Sequence, residues 1–293
     1  KPGADRLSAL AMDMLVSTEW LGGELGAPDL AVLDASLHLP SANRDAHAEF
    51  MAEHLPGARF LDLAELHDPA SALPGKVPDG TRVARWLGER GVGPQTRIVL
   101  YDASDLRSAC RAWVLLDLAG LANIAVLDGG LAKWRAEGRA VESGSSEVPS
   151  LERPPTSVRV TDIRDKAAML ANLATRAEQV VDARDGGRFT GTVEDTVHGL
   201  PGGHIPGARH LFFRDLFSED GTFRDPDSLR ALFADAGLDL DRPIVATCGS
   251  GQTASVVLFA ARLLGAERTA LYDGSWSEWG ADPETPKETG EPR

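Results

Sequence analysis

Pro243-Ile244-Val245-Ala246-Thr247-Cys248-Gly249-Ser250-Gly251-Gln252-Thr253-Ala254 runs from a short apolar stretch, across a Gly-rich turn, into a long apolar helical pattern from Ser255 to Leu264. A strand that ends in a tight turn and opens a helix reads this way. Cys248 sits on the turn, where backbone N–H groups and the positive end of a helix converge on one side chain and favour thiolate over thiol. Gly249 and Gly251 are expected to let the chain curl without a Cβ penalty, and Thr253 to cap the helix with its hydroxyl. The plainer alternative is a small buried hydrophobe at a strand end. The flanking glycines and the helix start weigh against it.

Outward from this stretch the chain repeats itself once. Leu33-Asp34-Ala35 returns as Val181-Asp182-Ala183, and His54-Leu55-Pro56-Gly57-Ala58 as His204-Ile205-Pro206-Gly207-Ala208. Ile98 to Asp102 returns as Ile244 to Cys248, and Leu127-Asp128-Gly129-Gly130 as Tyr272-Asp273-Gly274-Ser275. Four motifs at a nearly constant offset indicate a duplicated domain rather than a solenoid of short repeats. In the first half Leu30–Leu33, Arg97–Tyr101 and Ile124–Leu127 read as strands, and Thr81–Gly91 and Ser108–Leu118 as helices, the former with a Thr N-cap and a Gly C-cap. Gln179–Val181, Pro243–Thr247 and Thr269–Tyr272 repeat the strands. Alternation of this kind predicts an α/β fold, a parallel sheet flanked by helices on both faces, with the ligand site at the carboxyl ends of the strands. The Ser/Gly/Pro-rich stretch 143–157 reads as a linker, which sets domains of 10–142 and 158–282, and the polar, Pro-rich tail from Asp282 is expected to fray.

The chain has 293 residues, enough for two ordinary cores, and a formal charge of −14. That charge argues against nucleic acid or an anionic membrane as partner, so an anionic ligand needs a local basic pocket. Two cysteines, Cys110 and Cys248, are too few for a disulfide framework and lack metal-ligand spacing, and they fit a reducing cytoplasm. No apolar run reaches a membrane span, and the opening Lys1-Pro-Gly-Ala-Asp has no secretory apolar core, although it also has no Met.

Cys248-Gly249-Ser250-Gly251-x-Thr253-Ala254 resembles the active-site loop of the rhodanese superfamily in its 3-mercaptopyruvate sulfurtransferase branch; the thiosulfate-preferring branch typically has Arg-Lys after the cysteine. The two His-x-Pro-Gly-Ala motifs and Tyr272-Asp273-Gly274-Ser275-Trp276-Ser277-Glu278-Trp279 resemble other marks of that family, over about residues 13 to 282. The resemblance implies two tandem rhodanese-like domains and ping-pong covalent catalysis. Cys248 would take sulfur from a small anionic donor, 3-mercaptopyruvate or thiosulfate, and pass it as a persulfide to a thiol, cyanide or thioredoxin-like acceptor. No metal or organic cofactor is implied. The loop residues Gly249, Ser250, Gly251, Gln252 and Thr253 would hold the persulfide, and Arg188 matches the family's substrate-anion arginine; its alternative role is an ion pair with Asp185 or Glu194.

The first half carries Asp102-Ala103-Ser104 where the second has the cysteine loop, so it reads as a non-catalytic wall of the cleft. His54 and His204 occur in both halves and read as structural, Arg184 as the partner of Asp182, Cys110 as core. Trp276 and Trp279 either close the cleft or only pack. Departures from the family pattern are equally specific. Val197 stands where a second substrate arginine is usual, and Ala64 and Gly75 stand where an Asp and a His usually link to the loop serine; Asp62, His67, Lys76 and His198 lie near enough in sequence to substitute. A non-enzymatic persulfide relay with altered donor recognition therefore stays open. A Cys-dependent phosphatase or arsenate reductase needs an Arg six residues after the cysteine, where this chain has Ala254.

Overall fold

The computed structural model describes residues 12–292; the expected domain start at residue 10 and the opening segment lie outside them. The first half folds as β1 (Leu15–Val16), α1 (Thr18–Glu24), β2 (Leu30–Asp34), α2 (Ala46–Ala52), β3 (Arg59–Phe60), α3 (Gly80–Glu89), β4 (Arg97–Tyr101), α4 (Ala109–Leu118), β5 (Ile124–Leu127) and α5 (Gly130–Ala136). The second half repeats it with β6 (Ile163–Arg164), α6 (Lys166–Thr175), β7 (Gln179–Asp182), α7 (Gly186–Thr190), β8 (Arg209–His210), α8 (Pro226–Asp235), β9 (Ile244–Thr247), α9 (Ala254–Leu263), β10 (Thr269–Tyr272) and α10 (Ser275–Trp279). The sheets have orders β1-β5-β4-β2-β3 and β6-β10-β9-β7-β8, the same permutation twice, with every pair parallel.

Alternate residues of each central strand serve opposite faces, as the period-2 geometry of a strand requires. Val32, Val99, Tyr101 and Leu127 pack with Leu21, Phe50 and Trp134 from α1, α2 and α5. Leu33, Ile98, Leu100 and Val126 face the other way, onto Val83, Trp86 and Leu87 of α3 and onto α4. The second half does the same, with Val180, Val245 and Tyr272 against Met169, Phe189, Trp276 and Trp279 on one side. Its other face, with α8 and α9, is continuous with the α3–α4 face of the first half, so one hydrophobic core spans both domains. Trp113 of α4 meets Phe259 of α9 edge to face with centroids 5.1 Å apart, an arrangement that contributes about 0.5–1.5 kcal/mol beyond area burial. Arg262 of α9 pairs with Asp117 of α4 at 3.2 Å beside it.

Several local expectations are corrected. The first turn of α3 is capped by Asp79, which accepts from Arg82 N at 2.8 Å, while Thr81 lies inside the helix. The stretch 143–157 contains no helix or strand, but Leu151 N donates to Gly88 O at 2.9 Å and holds it along α3. The tail after Asp282 does not fray: Glu288 and His204 exchange both backbone hydrogen bonds at 2.9 Å, and Trp279 Nε1 donates to Pro286 O at 2.8 Å. Glu142 makes the same exchange with His54 at 2.8 Å, so the tail is the second copy of a closing segment whose first copy begins the linker. Among the described residues no helix is long and apolar enough to cross a membrane.

Candidate active site

The loops after β7, β9 and β10 meet at the carboxyl edge of the second sheet, and Cys248 is the first residue beyond β9. Gly251 N donates to Cys248 Sγ at 3.1 Å. Gly251 has φ +86°, a conformation open to glycine and strained for a side chain, and it turns the loop back toward the sulfur. Gly249 is a glycine for another reason: a Cβ there would lie 2.1 Å from His198 Cε1. Thr253 does not cap the helix. Its backbone is already helical (φ −76°, ψ −19°) and its hydroxyl makes no capping bond, whereas a cap residue is normally extended.

The floor of the loop is Ser275. Its hydroxyl accepts from Cys248 N at 3.1 Å and donates to Tyr272 O at 2.9 Å, and Trp276 N donates to Cys248 O at 2.9 Å. Ser275 has φ +51°, and its counterpart in the first half is Gly130 at φ +57°. The second half thus accepts a strained serine where the first uses glycine, at a cost of order 1 kcal/mol, and gains a hydroxyl that holds the cysteine backbone.

The first domain contributes cations to this loop. Lys76, buried, donates to Ser250 O at 2.9 Å and to Asp273 O. Arg111 donates to Gly251 O at 3.2 Å, Asp273 Oδ1 at 3.0 Å and Gly75 O at 2.7 Å. Val77 N donates to Asp273 Oδ2 at 2.7 Å, so Asp273 joins both domains. Burial draws the Lys76 ammonium below its ordinary pKa and Arg111 adds to the effect, while Asp273 and Cys248 oppose it. Of the four residues near enough in sequence to substitute, Lys76 and His198 touch the loop; Asp62 and His67 hydrogen-bond locally to Ala64.

A pocket of about 360 Å³ opens beside Cys248 and is lined by Gly249, Ser250, Gln252 and Thr253, by Arg184, Arg188 and Arg214, and by Val197 and His198. Leu39 and Leu106 of the first domain complete its wall. Three arginines against Asp185 make it the local basic pocket that an acidic chain needs for an anion. Arg184 is committed elsewhere: it donates to Asp182 at 2.7 Å and to Gly203 O at 2.6 Å, with its guanidinium 4.6 Å over the Trp276 ring. Arg188 lines the pocket and also forms the ion pair with Asp185, at 2.5 Å, with Asp195 at 3.5 Å from its other arm. Among the described residues its Nη2 has no partner.

Asp195 is the hidden centre of this wall. Fully buried, it would be raised by desolvation, but the hydrogen bond from His198 and the charges of His198, Arg188 and Arg184 outweigh burial and hold its carboxyl at about 2. His198 Nδ1 lies 2.9 Å from Asp195 Oδ1. The remaining candidates are structural. His54 and His204 donate from Nδ1 to Phe50 O and Phe189 O at 2.8 and 2.9 Å and stack on those rings; Trp276 and Trp279 are buried in the core, and Cys110 is buried between the domains. Sequence reasoning missed Arg111, Asp195, Asp273 and Ser275. The last two carried a signal, Asp273 as the repeat of Asp128 and Ser275 as a serine opposite a glycine in the repeat.

Comparison with known proteins follows the repeat of the fold. The rhodanese-like domain model matches residues 17–137 and again 165–282. The 3-mercaptopyruvate sulfurtransferase of Homo sapiens is 40% identical over 271 residues, covering 90% of this chain and 91% of its own. The thiosulfate sulfurtransferase of Mus musculus is 39% identical over 281 residues, covering 92% and 94%. The crystal structure of the 3-mercaptopyruvate sulfotransferase SseA from Escherichia coli superposes with a TM-score of 0.81 at 33% identity, over 90% of this chain and 99% of SseA. With two matched copies in series and relatives of this closeness along its length, the chain belongs to the rhodanese-like domain family.

Proposed function

We propose that this protein is a sulfurtransferase that moves sulfur from 3-mercaptopyruvate, or less well from thiosulfate, through a persulfide on Cys248 to a thiol, cyanide or thioredoxin-like acceptor. The observation that carries the reading is the cysteine at the head of a Gly-rich loop, with an amide aimed at its sulfur and a three-arginine pocket beside it. The thiolate attacks the donor sulfur, the organic or sulfite fragment departs, and the acceptor takes the outer sulfur and restores the thiolate. Gly249 to Thr253 supply backbone donors around the transferred sulfur. Arg188 Nη2 is the donor left for a substrate carboxylate or sulfonate.

Lys76 and Arg111 anchor the loop from the first domain, which has Asp102 in place of a nucleophile. A cytoplasmic location fits the two unpaired cysteines. The preference for 3-mercaptopyruvate rests on Gly249-Ser250 after the cysteine, where a basic pair for thiosulfate is absent. Turnover of both donors by the native protein and by Cys248→Ser tests the reading: pyruvate release should exceed sulfite release and vanish in the variant. Sulfite release exceeding pyruvate release would reverse the donor assignment.

A further inference from the structure

Residues 195–200 form a closed loop. Asp195 and Leu200 bridge through backbone hydrogen bonds of 2.8 and 3.1 Å, and His198 N donates to Asp195 O at 3.1 Å. The loop presses the His198 ring onto Gly249, the neighbour of Cys248, so closely that a Cβ on Gly249 would be 2.1 Å from Cε1 and 3.0 Å from Nε2. Asp195 stays a carboxylate at neutral pH and can only accept, so the proton between it and His198 resides on Nδ1. In the neutral ring Nε2 then carries the lone pair, and among the described residues it has no hydrogen-bond partner. A carboxylate-oriented imidazole with a free nitrogen, in the pocket that holds Cys248 and Arg188, has the parts of a general acid–base group.

We propose that His198, oriented by Asp195, shuttles the proton in sulfur transfer from a thiol donor such as 3-mercaptopyruvate, an inference that rests on the sulfurtransferase reading above. Cys248 thiolate attacks the donor sulfur; an S–S bond forms, the C–S bond breaks, and its electron pair leaves on carbon as the pyruvate enolate. The donor thiol proton passes to His198 Nε2 and from there to the enolate carbon, giving pyruvate and the Cys248 persulfide anion. The two sulfurs are oxidised to the persulfide level while the CH₂ carbon is reduced to CH₃, so no outside oxidant or reductant enters. A thiosulfonate donor needs no such proton, since its sulfinate leaves as a stable anion. His198 should therefore matter for one donor class and not for the other.

The experiment is single-turnover persulfide formation from 3-mercaptopyruvate and from benzenethiosulfonate, in the native protein, His198→Gln and His198→Ala. Gln retains a donor for Asp195, so the wall keeps its support. The ratio of the two rate constants should fall by about 100-fold in both variants, and added imidazole should recover part of it in His198→Ala alone. Equal losses with both donors would make His198 a structural or anion-binding residue and overturn the proposal; so would an unchanged ratio. Absence of persulfide from either donor in the native protein would instead overturn the sulfurtransferase reading itself.

Discussion

Gly249→Ala isolates the contact between the cysteine loop and the His198 wall. The glycine is not in a left-handed conformation, so alanine is permitted by the backbone and only the neighbour objects. The nearest ring atom lies 2.1 Å from the new methyl, and ordinary contact begins near 3.4 Å, so the imidazole must retreat by about 1.3 Å. Such a shift stretches the 2.9 Å bond from Nδ1 to Asp195 beyond hydrogen-bond range. Overpacking costs about 1–3 kcal/mol and a lost charge-assisted bond about 1.5–3 kcal/mol, and relaxation makes these alternatives rather than a sum, so about 2 kcal/mol is expected. In a His198→Ala background the obstruction is gone, and Gly249→Ala should cost less than about 0.5 kcal/mol or become slightly favourable through loss of unfolded-chain freedom. Guanidinium unfolding of the two single variants and the double variant should thus give a coupling of about 1.5 kcal/mol. Strictly additive costs would mean that the ring is not seated on Gly249.

Val197→Arg adds a fourth arginine, at a half-exposed position on the pocket rim, and should raise kcat/KM for 3-mercaptopyruvate by about 10-fold, mainly through KM; steady-state kinetics showing no gain would mean that the position does not face the donor carboxylate. Asp195→Asn should destabilise the protein by about 2 kcal/mol at pH 7 in denaturant titrations. Because the folded carboxyl sits at about 2 against an ordinary 3.8, that contribution is present above pH 4 and lost as pH falls toward 2, so native and variant stabilities should converge there, and parallel curves would refute the assignment. Cys110→Ser should leave persulfide formation unchanged, since the residue is buried in the core shared by the two domains; a loss matching that of Cys248→Ser would misplace the nucleophile.

What could be read before the structure was local or periodic. The cysteine loop, the strands that flank it and the fourfold match between halves are all properties of short segments, and the parallel sheets follow from the alternation of strand and helix patterns. The donors that fix the loop come from far away: Lys76 reaches Ser250 across 174 residues and Arg111 reaches Gly251 across 140, and no pattern within either segment encodes the meeting. Thr253 misled because a threonine before an apolar run is an ordinary cap signature, yet the Gly251 turn delivers the chain into the helix already in helical conformation. The tail misled because its prolines and charges suit a loose end, while its pairing with His204 depends on a segment some 80 residues earlier. Gly249 in a Gly-rich turn suggests backbone freedom, but its use is the space it leaves for His198.

The central claim is that Cys248 carries the sulfur. Intact and peptide mass spectrometry of the protein after brief exposure to 3-mercaptopyruvate, without acceptor, addresses it directly. The account predicts a gain of about 32 Da, one sulfur, confined to the peptide containing Cys248 and removed by cyanide or a thiol. A gain on the Cys110 peptide, or none on Cys248 while pyruvate is still released, would contradict it.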